Sequence, residues 1–367
     1  MKITAIEAIP FEIPFRRPFS FASGTAAVAD HVLVRVHTDE GLVGHAEAPP
    51  RPYTYGESQV SIVAALRDWF APALSGVDPF ARERIAAVLR RTVGNPAAKA
   101  AVDIAVWDII GQATGQPVHS LLGGYAEAVA VTHMVGLASP AQMVEEALAA
   151  RETYGITSFK VKVGRSPYGV DVEACRALRS SLGDDVELYL DANRGWPGDE
   201  ALRVLAAVAD VGVTMVEEPG PADDVLARRR IVERSPVPVV GDESCTRPGE
   251  VARLLLDRSC DLVSIKTART GFTESARILG LCEGLGAGVL VGSQMDGTIG
   301  TLAGVSLAAA HRVTAERPAE LSAFLEMADD LLAEPPEILE GRMAPPERPG
   351  LGVVLDREKL AWFRTDH

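Results

Sequence analysis

The sequence predicts an α/β protein, namely a (β/α)8-type barrel, or modified TIM barrel, with an N-terminal α+β capping domain. Strand-like apolar runs that end in charged residues recur at intervals of 24 to 29 residues through the middle of the chain. One strand, one helix and two loops need roughly 30 residues, so these intervals indicate repeated strand–helix units. A β-type pattern and then a helical pattern precede them. We expect residues 1–127 to form the capping domain, residues 128–330 the barrel with the active site, and residues 331–367 a segment that returns to the capping domain.

Composition excludes several classes of protein. Of the 367 residues, 47% are hydrophobic and 23% charged, which is ordinary for a soluble globular protein. The net charge of −14, without a basic run, argues against nucleic acid and anionic membranes as partners. No run approaches about 18 apolar residues and no cleavable leader pattern is present, so we expect a cytoplasmic protein. The four cysteines lack C-x-x-C spacing and are interpreted as reduced thiols.

The capping domain begins with strand patterns. Three of them predict a three-strand meander: residues 3–13, 31–37 and 42–48. Residues 17–24 are rich in Pro, Gly and Ser, so we expect irregular structure between the first two strands. A second irregular loop, residues 49–56, contains Arg51 and Tyr55, and loops of this kind often contact a ligand. An ordinary packed surface loop is the alternative.

Residues 57–124 have a helical period, which is clearest at residues 97–112. Asp103 and Asp108 lie on this helix and could be interpreted as a pair of metal ligands. Their i, i+5 spacing places them on different faces of the helix. We therefore expect them to contact other helices or backbone N–H groups instead.

The barrel is predicted from eight strand-like runs, separated by helices such as residues 141–154 and 298–310. Most of the runs are apolar until their last residues, as expected of a parallel sheet covered on both faces. Eight such strands form a closed barrel. The predicted strands are residues 129–137, 159–163, 188–193, 215–219, 239–243, 262–266, 288–293 and 320–324.

Carboxylates end three consecutive predicted strands. Asp191, Glu217 and Asp242 should converge, because the C-terminal ends of barrel strands meet at one face, where such barrels hold their sites. Three carboxylates in one pocket repel each other and need a cation. Hard oxygen ligands select Mg²⁺, or alternatively Mn²⁺, rather than zinc. Asn193 and Glu243 follow two of the ligands closely and are predicted auxiliary contacts.

Lysines flank these carboxylates in the chain. Lys160 and Lys162 are two residues apart on one strand, so both side chains point to the same side, and Lys266 ends a strand across the barrel. Any one of them alone would be interpreted as a solvated surface lysine. Together with three carboxylates they predict a metal site flanked by groups that act as acid or base.

These motifs resemble those of the enolase superfamily, in particular its muconate lactonizing enzyme subgroup. The resemblance spans essentially the whole chain and implies that Asp191, Glu217 and Asp242 bind Mg²⁺, or Mn²⁺. It also implies that Lys162 and Lys266 stand on opposite faces of the substrate. The seventh predicted strand has no His at its end, which disfavours the mandelate racemase branch. The motifs are Lys160-Val161-Lys162, Asp191-Ala192-Asn193, Glu217-Glu218-Pro219, Asp242-Glu243-Ser244 and Lys266.

The resemblance leads us to expect muconate cycloisomerase activity, the conversion of cis,cis-muconate to muconolactone through a metal-stabilised enolate that Lys162 protonates. Dipeptide epimerase, N-succinylamino acid racemase and o-succinylbenzoate synthase activities are the alternatives within the subgroup. Glu320-Leu321-Ser322 stands where dipeptide epimerases usually carry Asp-x-Asp. We expect a small-molecule carboxylate substrate and a homo-oligomer. The predicted substrate contacts are Lys160, Arg51, Tyr55, Asn193, Ser293, Gln294, Met295 and Phe324.

Overall fold

The computed structural model describes residues 1–22 and 24–366. Its N-terminal sheet is antiparallel, in the order β1-β2-β3. The strands are β1 (Ile3–Phe21), β2 (Gly24–Thr38) and β3 (Val43–Ala48). The predicted three-strand meander is therefore present, with longer first and second strands than the sequence pattern indicated.

The prediction of irregular structure at residues 17–24 is wrong for the described residues, while Ser23 lies outside them. Strand β1 continues to Phe21 and pairs with β2 almost to the turn. Proline cannot donate to a sheet ladder, but β1 is an edge strand, where the missing N–H is tolerated. A register shift between Pro14 and Phe19 accommodates the intervening residues.

A helical layer covers one face of this sheet. Its elements are α1 (Gln59–Ala64), a π-helical stretch at Ala65–Phe70, α2 (Ala71–Leu74), α3 (Arg82–Leu89), α4 (Pro96–Thr114) and α5 (Val118–Leu122). Helix α4 is buried along most of its length and packs directly on β3. A Cβ at Gly44 would lie 1.9 Å from the carbonyl oxygen of Ala105, so only glycine permits this close approach.

The two aspartates of α4 contact backbone N–H groups, which confirms the prediction. Asp103 accepts hydrogen bonds from the N–H groups of Phe272 and Thr273 at 2.7 and 2.9 Å. Asp108 accepts those of His45 and Leu351, both at 2.8 Å. The helix is thereby tied to the barrel, to β3 and to the C-terminal segment.

Strands and helices then alternate. The first half comprises β4 (Val129–Val135), α6 (Pro140–Tyr154), β5 (Ser158–Lys162), α7 (Gly169–Leu182), β6 (Glu187–Asp191), α8 (Gly198–Ala207), a 3-10 turn at Ala209–Val211, β7 (Val216–Glu217) and α9 (Val225–Arg234). The second half comprises β8 (Val239–Gly241), α10 (Pro248–Leu256), β9 (Leu262–Ile265), α11 (Thr267–Leu285), β10 (Gly288–Val291), α12 (Thr298–Ala310), α13 (Arg312–Ala315) and β11 (Ala319–Glu320).

In the described part of the chain, eight parallel strands form the order β10-β9-β8-β7-β6-β5-β4-β11. This nearly closed barrel with an antiparallel capping sheet confirms the predicted fold class. The eighth strand is shorter than predicted, because the chain enters a 3-10 helix at Ala323–Glu326. None of the helices in the described ranges combines the length and apolar character needed to cross a bilayer.

The C-terminal segment contacts both parts of the molecule. It contains β12 (Arg342–Met343) and α14 (Arg357–Phe363). Strand β12 pairs antiparallel with β4 of the barrel. Beyond α14, the N–H of Thr365 donates to the carbonyl of Pro10 on β1 at 2.9 Å.

Candidate active site

The predicted carboxylates and lysines meet at the C-terminal ends of the barrel strands. In the sheet register, Lys162 of β5 stands opposite Asp191 of β6, which stands opposite Glu217 of β7. Asp242 directly follows β8 and Lys266 directly follows β9. All five side chains are buried. The spacing of charged strand ends along the sequence therefore corresponds to one cluster in space.

Lys160 forms the lower layer of this cluster. Its Nζ lies 2.9 Å from Asp191 Oδ2, 3.0 Å from Glu217 Oε2 and 2.8 Å from Glu320 Oε1. The hydroxyl of Tyr189 also donates to Glu320, at 2.8 Å. Burial opposes the charge on Lys160, but the three carboxylates outweigh it and raise the pKa of the lysine. Lys160 is therefore a fixed cation beneath the site.

Lys162 and Lys266 form the upper layer. Lys162 donates to Asp191 Oδ2 at 2.6 Å and to Asn193 Oδ1 at 2.9 Å. Lys266 donates to Asp242 Oδ2 at 2.5 Å. Burial raises the pKa of both aspartyl groups, but the neighbouring cations outweigh this effect and hold the pKa of Asp191 and of Asp242 below its usual range. Both aspartates are therefore ionised beside their lysines.

A pocket of about 450 Å³, including its open mouth, lies above this layer between the barrel and the capping domain. Of the predicted substrate contacts, Arg51, Tyr55, Asn193, Ser293, Gln294 and Met295 line it, together with Lys162 and Lys266. Lys160 lies below it. Phe324 lies on the 3-10 helix after β11 and packs against the hydrophobic core. The wall also contains Asp242, a predicted metal ligand, and Glu243, a predicted auxiliary contact. Four further lining residues were not among the predicted contacts: Phe19, Phe21, Thr54 and Met134.

The loop at residues 49–56 closes one side of the pocket. Arg51 donates through one terminal nitrogen to the carbonyl of Gln294 and through the other to its neighbour Pro50, at 2.6 Å. The hydroxyl of Tyr55 donates to Asp242 Oδ1 at 3.3 Å and accepts a hydrogen bond from Arg269. Burial raises the pKa of Tyr55, so this hydroxyl keeps its proton. Both side chains anchor the loop to the barrel.

Two charged residues of the site were not predicted. Arg269 donates to Asp242 Oδ1 and, at 2.8 Å, to the carbonyl of Ser264. It lies on the first turn of α11, where no strand pattern marks it. Glu320 ends the eighth strand as the other acids end theirs, so its position did carry a signal.

Glu217 indicates that the cluster fits a metal ion. Apart from the ion pair with Lys160, neither of its carboxylate oxygens has a hydrogen-bond partner among the described residues, although the side chain is fully buried. Burial and then the charges of Asp191, Glu320 and Asp242 raise the pKa of Glu217 well above its usual range, although Lys160 opposes them. An additional cation would relieve this repulsion. The donor set of Asp191, Glu217 and Asp242 consists of oxygens, which suits Mg²⁺ or Mn²⁺.

A second group of metal-type ligands lies outside the pocket, where His133, Glu146 and Glu326 could converge on one ion. Their ligand atoms all lie within 4.8 Å of one another. Glu146 Oε2 already lies 2.5 Å from a terminal nitrogen of Arg17, so this group has a cation of its own.

A buried cluster of lysines and carboxylates at the C-terminal face of a barrel, beneath a capping domain, is typical of an enzyme active site. The chain belongs to the mandelate racemase/muconate lactonizing enzyme family of the enolase superfamily, and this family makes it an isomerase- or lyase-type enzyme. Residues 5–123 match the family description "Mandelate racemase / muconate lactonizing enzyme, N-terminal domain", and residues 142–359 match "Enolase C-terminal domain-like".

Relatives of several specificities resemble the whole chain. A muconate lactonizing enzyme from Mycobacterium smegmatis, solved with muconolactone, is 52% identical, with a TM-score of 0.98 and full coverage of both chains. An L-Ala-D/L-Glu epimerase from Bacillus subtilis is 32% identical over 96% of this chain and 97% of its own length. An N-succinyl-L-Arg/Lys racemase from Bacillus cereus is 32% identical over 98% and 97%. The family is therefore established, and it contains more than one reaction.

Proposed function

We propose that this enzyme is a muconate cycloisomerase that interconverts cis,cis-muconate and muconolactone. The observation that carries the proposal is the charge balance of the site. Among the described residues, the ion-paired cluster contains four buried carboxyl groups and four buried cations, so it is neutral when all eight are ionised. Glu243 also lies in the pocket wall, but burial raises its pKa to about 8, so this carboxyl group is largely protonated at pH 7. A divalent metal ion would add two positive charges, which match a dianionic substrate. The groups are Asp191, Glu217, Asp242 and Glu320, and Lys160, Lys162, Lys266 and Arg269.

The metal-binding role falls to Asp191, Glu217 and Asp242. Mg²⁺, or Mn²⁺, bound there supplies positive charge beside one substrate carboxylate and stabilises the negative charge that develops on it. Lys160 supports this arrangement from below, because its ammonium group contacts both Asp191 and Glu217. Without Lys160 the three ligands would repel each other more strongly.

Lys162 acts as the general acid of the lactonisation. The distal carboxylate of muconate forms the new C–O bond, and the carbon next to the proximal carboxylate receives a proton from the Lys162 ammonium group. Asn193 and Asp191 hold this ammonium group at the floor of the pocket. Lys266 supplies positive charge from the end of β9, which is separated from β5 by three intervening strands.

The capping domain covers the hydrocarbon part of the substrate. Phe19 and Phe21 of β1 form the apolar wall together with Met134 and Met295 of the barrel. These side chains exclude water from the conjugated chain of muconate, which strengthens the electrostatic interactions below it. The 52% identity to the muconate lactonizing enzyme, over the full length of both chains, supports the same choice of substrate.

A second candidate is racemisation or epimerisation at the carbon next to a carboxylate. The same two lysines reaching one pocket favour it, because one could remove a proton and the other return it. The 32% identical epimerase and racemase also support it. N-succinylated amino acids fit the charge balance better than dipeptides, because the succinyl group adds a second carboxylate.

The decisive experiment follows the loss of muconate absorbance in the presence of Mg²⁺ and of EDTA. We expect turnover with Mg²⁺ only, and a loss of roughly 10²- to 10⁴-fold in kcat for Lys162→Ala. Lys359→Ala, at a lysine that pairs with Asp329 and Asp330 in the C-terminal segment, is the matched control. Full activity of Lys162→Ala would refute its role. Inactivity on muconate, with proton exchange in N-succinylamino acids or dipeptides, would establish the second candidate.

A further inference from the structure

Arg17 of β1 contacts a buried cluster of barrel residues outside the pocket. Its Nη2 lies 2.5 Å from Glu146 Oε2 on α6, and its Nε lies 3.7 Å from Glu326 Oε2 on the 3-10 helix after β11. His133 of β4 lies 3.3 Å from Glu146 Oε1 and 3.9 Å from Glu326 Oε1 through Nε2. Its Nδ1 is 3.1 Å from the hydroxyl of Ser322. One capping-domain residue thus contacts two elements of the barrel, and the same two glutamates lie beside His133 of a third, β4.

The two carboxylates of this cluster need the cation that Arg17 provides. The side chains of Glu146 and Glu326 are only 6% and 10% exposed, whereas that of Arg17 is 50% exposed. Burial and the charge of Glu146 raise the pKa of Glu326, against His133 and Arg17. Removing one partner of a buried ion pair leaves an uncompensated charge and is strongly destabilising locally. The interaction is therefore stronger than that of an ordinary surface arginine.

Arg17 lies in the part of β1 that is not paired with β2 and that contacts the barrel. Pairing between the two strands is interrupted between Pro14 and Phe19. Within this interruption, Phe15 forms a bridge with Met327, and the carbonyl of Pro14 accepts the N–H of Ala328 at 2.8 Å. We call residues 14–22 the strap.

The strap carries the apolar wall of the pocket. Phe19 and Phe21 follow Arg17 by two and four residues and both line the pocket. Among the described residues, one backbone hydrogen bond joins this part of the strap to the loop after β4. The N–H of Leu137 donates to the carbonyl of Ser20, at 2.8 Å. Along the strap, the ion pairs of Arg17 are therefore the nearest ones that hold the two phenylalanines to the barrel.

We propose that Arg17 is a positioning residue, whose ion pairs with Glu146 and Glu326 hold Phe19 and Phe21 over the pocket. It does not touch the substrate and acts through the strap. The inference rests on the proposed function only in that it takes the pocket to be the catalytic one. Loss of Arg17 should loosen the wall and weaken substrate binding, with little effect on the chemical step.

The test combines amide hydrogen exchange of the strap with steady-state kinetics on muconate. For Arg17→Ala we expect roughly tenfold faster exchange at residues 19–22, with unchanged exchange in β6 and β8. We also expect KM to rise by roughly tenfold while kcat stays within about twofold. Arg17→Lys keeps the charge and should restore part of both effects. Arg16→Ala is the matched control, since Arg16 donates only to the carbonyl of Leu325 among the described residues.

Unchanged strap exchange in Arg17→Ala, or an equal effect of Arg16→Ala, would overturn the proposal. Binding of Zn²⁺ by the wild-type cluster, abolished by Glu326→Gln, would also overturn it, because the metal would then replace Arg17 as the cation. If the wild-type enzyme does not turn over muconate, the proposed function fails, but hydrogen exchange still decides the role of Arg17.

Discussion

Glu47 on the third strand of the capping sheet accepts the backbone N–H of Gly300, in the first turn of α12, at 2.9 Å. Its other oxygen accepts the N–H of Gly297 at 3.0 Å and lies 2.5 Å from His31 Nδ1. A carboxylate at a helix N-terminus interacts favourably with the helix dipole. The residues just before this helix, Ser293 to Met295, line the pocket. Glu47 therefore connects the capping domain directly to one wall of the site.

Glu47→Gln should lower the free energy of unfolding by about 2 to 3 kcal/mol at pH 7, because a charged acceptor of several buried hydrogen bonds is lost. Urea unfolding measures the change. Glu12→Gln, at an exposed position of β1, should change the free energy by less than about 0.5 kcal/mol. An equal effect of both substitutions would contradict the role of Glu47.

The contacts of Glu47 also predict how the free energy of unfolding depends on pH. Burial raises the pKa of Glu47, but His31 and the two glycine N–H groups outweigh it and hold the pKa below its usual range. A carboxyl group whose pKa is lower in the folded state stabilises the protein above its unfolded pKa, about 4.3. The stabilisation is lost as pH falls through the lower, folded value. The stability difference between wild type and Glu47→Gln should therefore shrink in acid, which urea unfolding between pH 3 and pH 7 can measure.

Glu217→Gln separates metal binding from folding. We expect the affinity for Mg²⁺ to fall by more than the roughly 10- to 100-fold that is typical of residues which only support metal ligands. In EDTA the variant should be as stable as the wild type or more stable, because an amide carries no buried charge facing Asp191, Glu320 and Asp242. Calorimetric titration with Mg²⁺ and urea unfolding measure the two effects.

The control for this experiment is Glu127→Gln, at an exposed carboxylate outside the site. Its Mg²⁺ affinity should equal that of the wild type. An unchanged affinity in Glu217→Gln would remove Glu217 from the set of metal ligands.

Arg51→Ala should raise the KM for muconate by roughly tenfold, because a partly buried charged donor to two carbonyls is lost and the loop at residues 49–56 is released. Arg51→Lys distinguishes anchoring from direct substrate binding. A lysine keeps the charge but cannot span two acceptors as a guanidinium does, so we expect it to resemble Arg51→Ala. Tyr53→Ala is the control, since Tyr53 lies in the same loop and is 82% exposed. An unchanged apparent affinity in Arg51→Ala would contradict the prediction.

The sequence was sufficient to predict the barrel and the convergence of Asp191, Glu217 and Asp242. A parallel strand that is buried on both faces must be apolar, so a charged residue at its end stands out along the chain. The barrel then brings these strand ends together, whatever the conformation of the loops that follow them. The length of β1 was not predictable in the same way, because the three prolines it contains are tolerated only at a sheet edge, and the sequence does not say which strand is at the edge.

The depth of a residue in the barrel was also not predictable. Alternation correctly puts Lys160 and Lys162 on one side of β5, but their height relative to the pocket depends on how the strands are staggered. Lys160 therefore turned out to lie beneath the ligands. Arg269 contacts Asp242 from a helix and not from the end of a strand. Phe324 does not line the pocket, because β11 ends four residues before it. Both outcomes depend on loop geometry.

The two lysines give the sharpest distinction between the candidate reactions. In a cycloisomerase with Lys162 as the acid, muconolactone incubated with enzyme in D₂O should gain one deuterium at the carbon next to its free carboxylate, always on one face. Lys162→Ala should abolish this exchange, while Lys266→Ala should slow it, because only the positive charge beside Asp242 is lost. In a two-base racemase, each variant would instead exchange one enantiomer of an N-succinylamino acid and fail on the other. Proton NMR of the recovered compounds measures each case. Lys162 and Lys266 are the lysines that line the pocket in the described part of the chain. If exchange persists in Lys162→Ala and disappears in Lys266→Ala, the general acid is therefore Lys266.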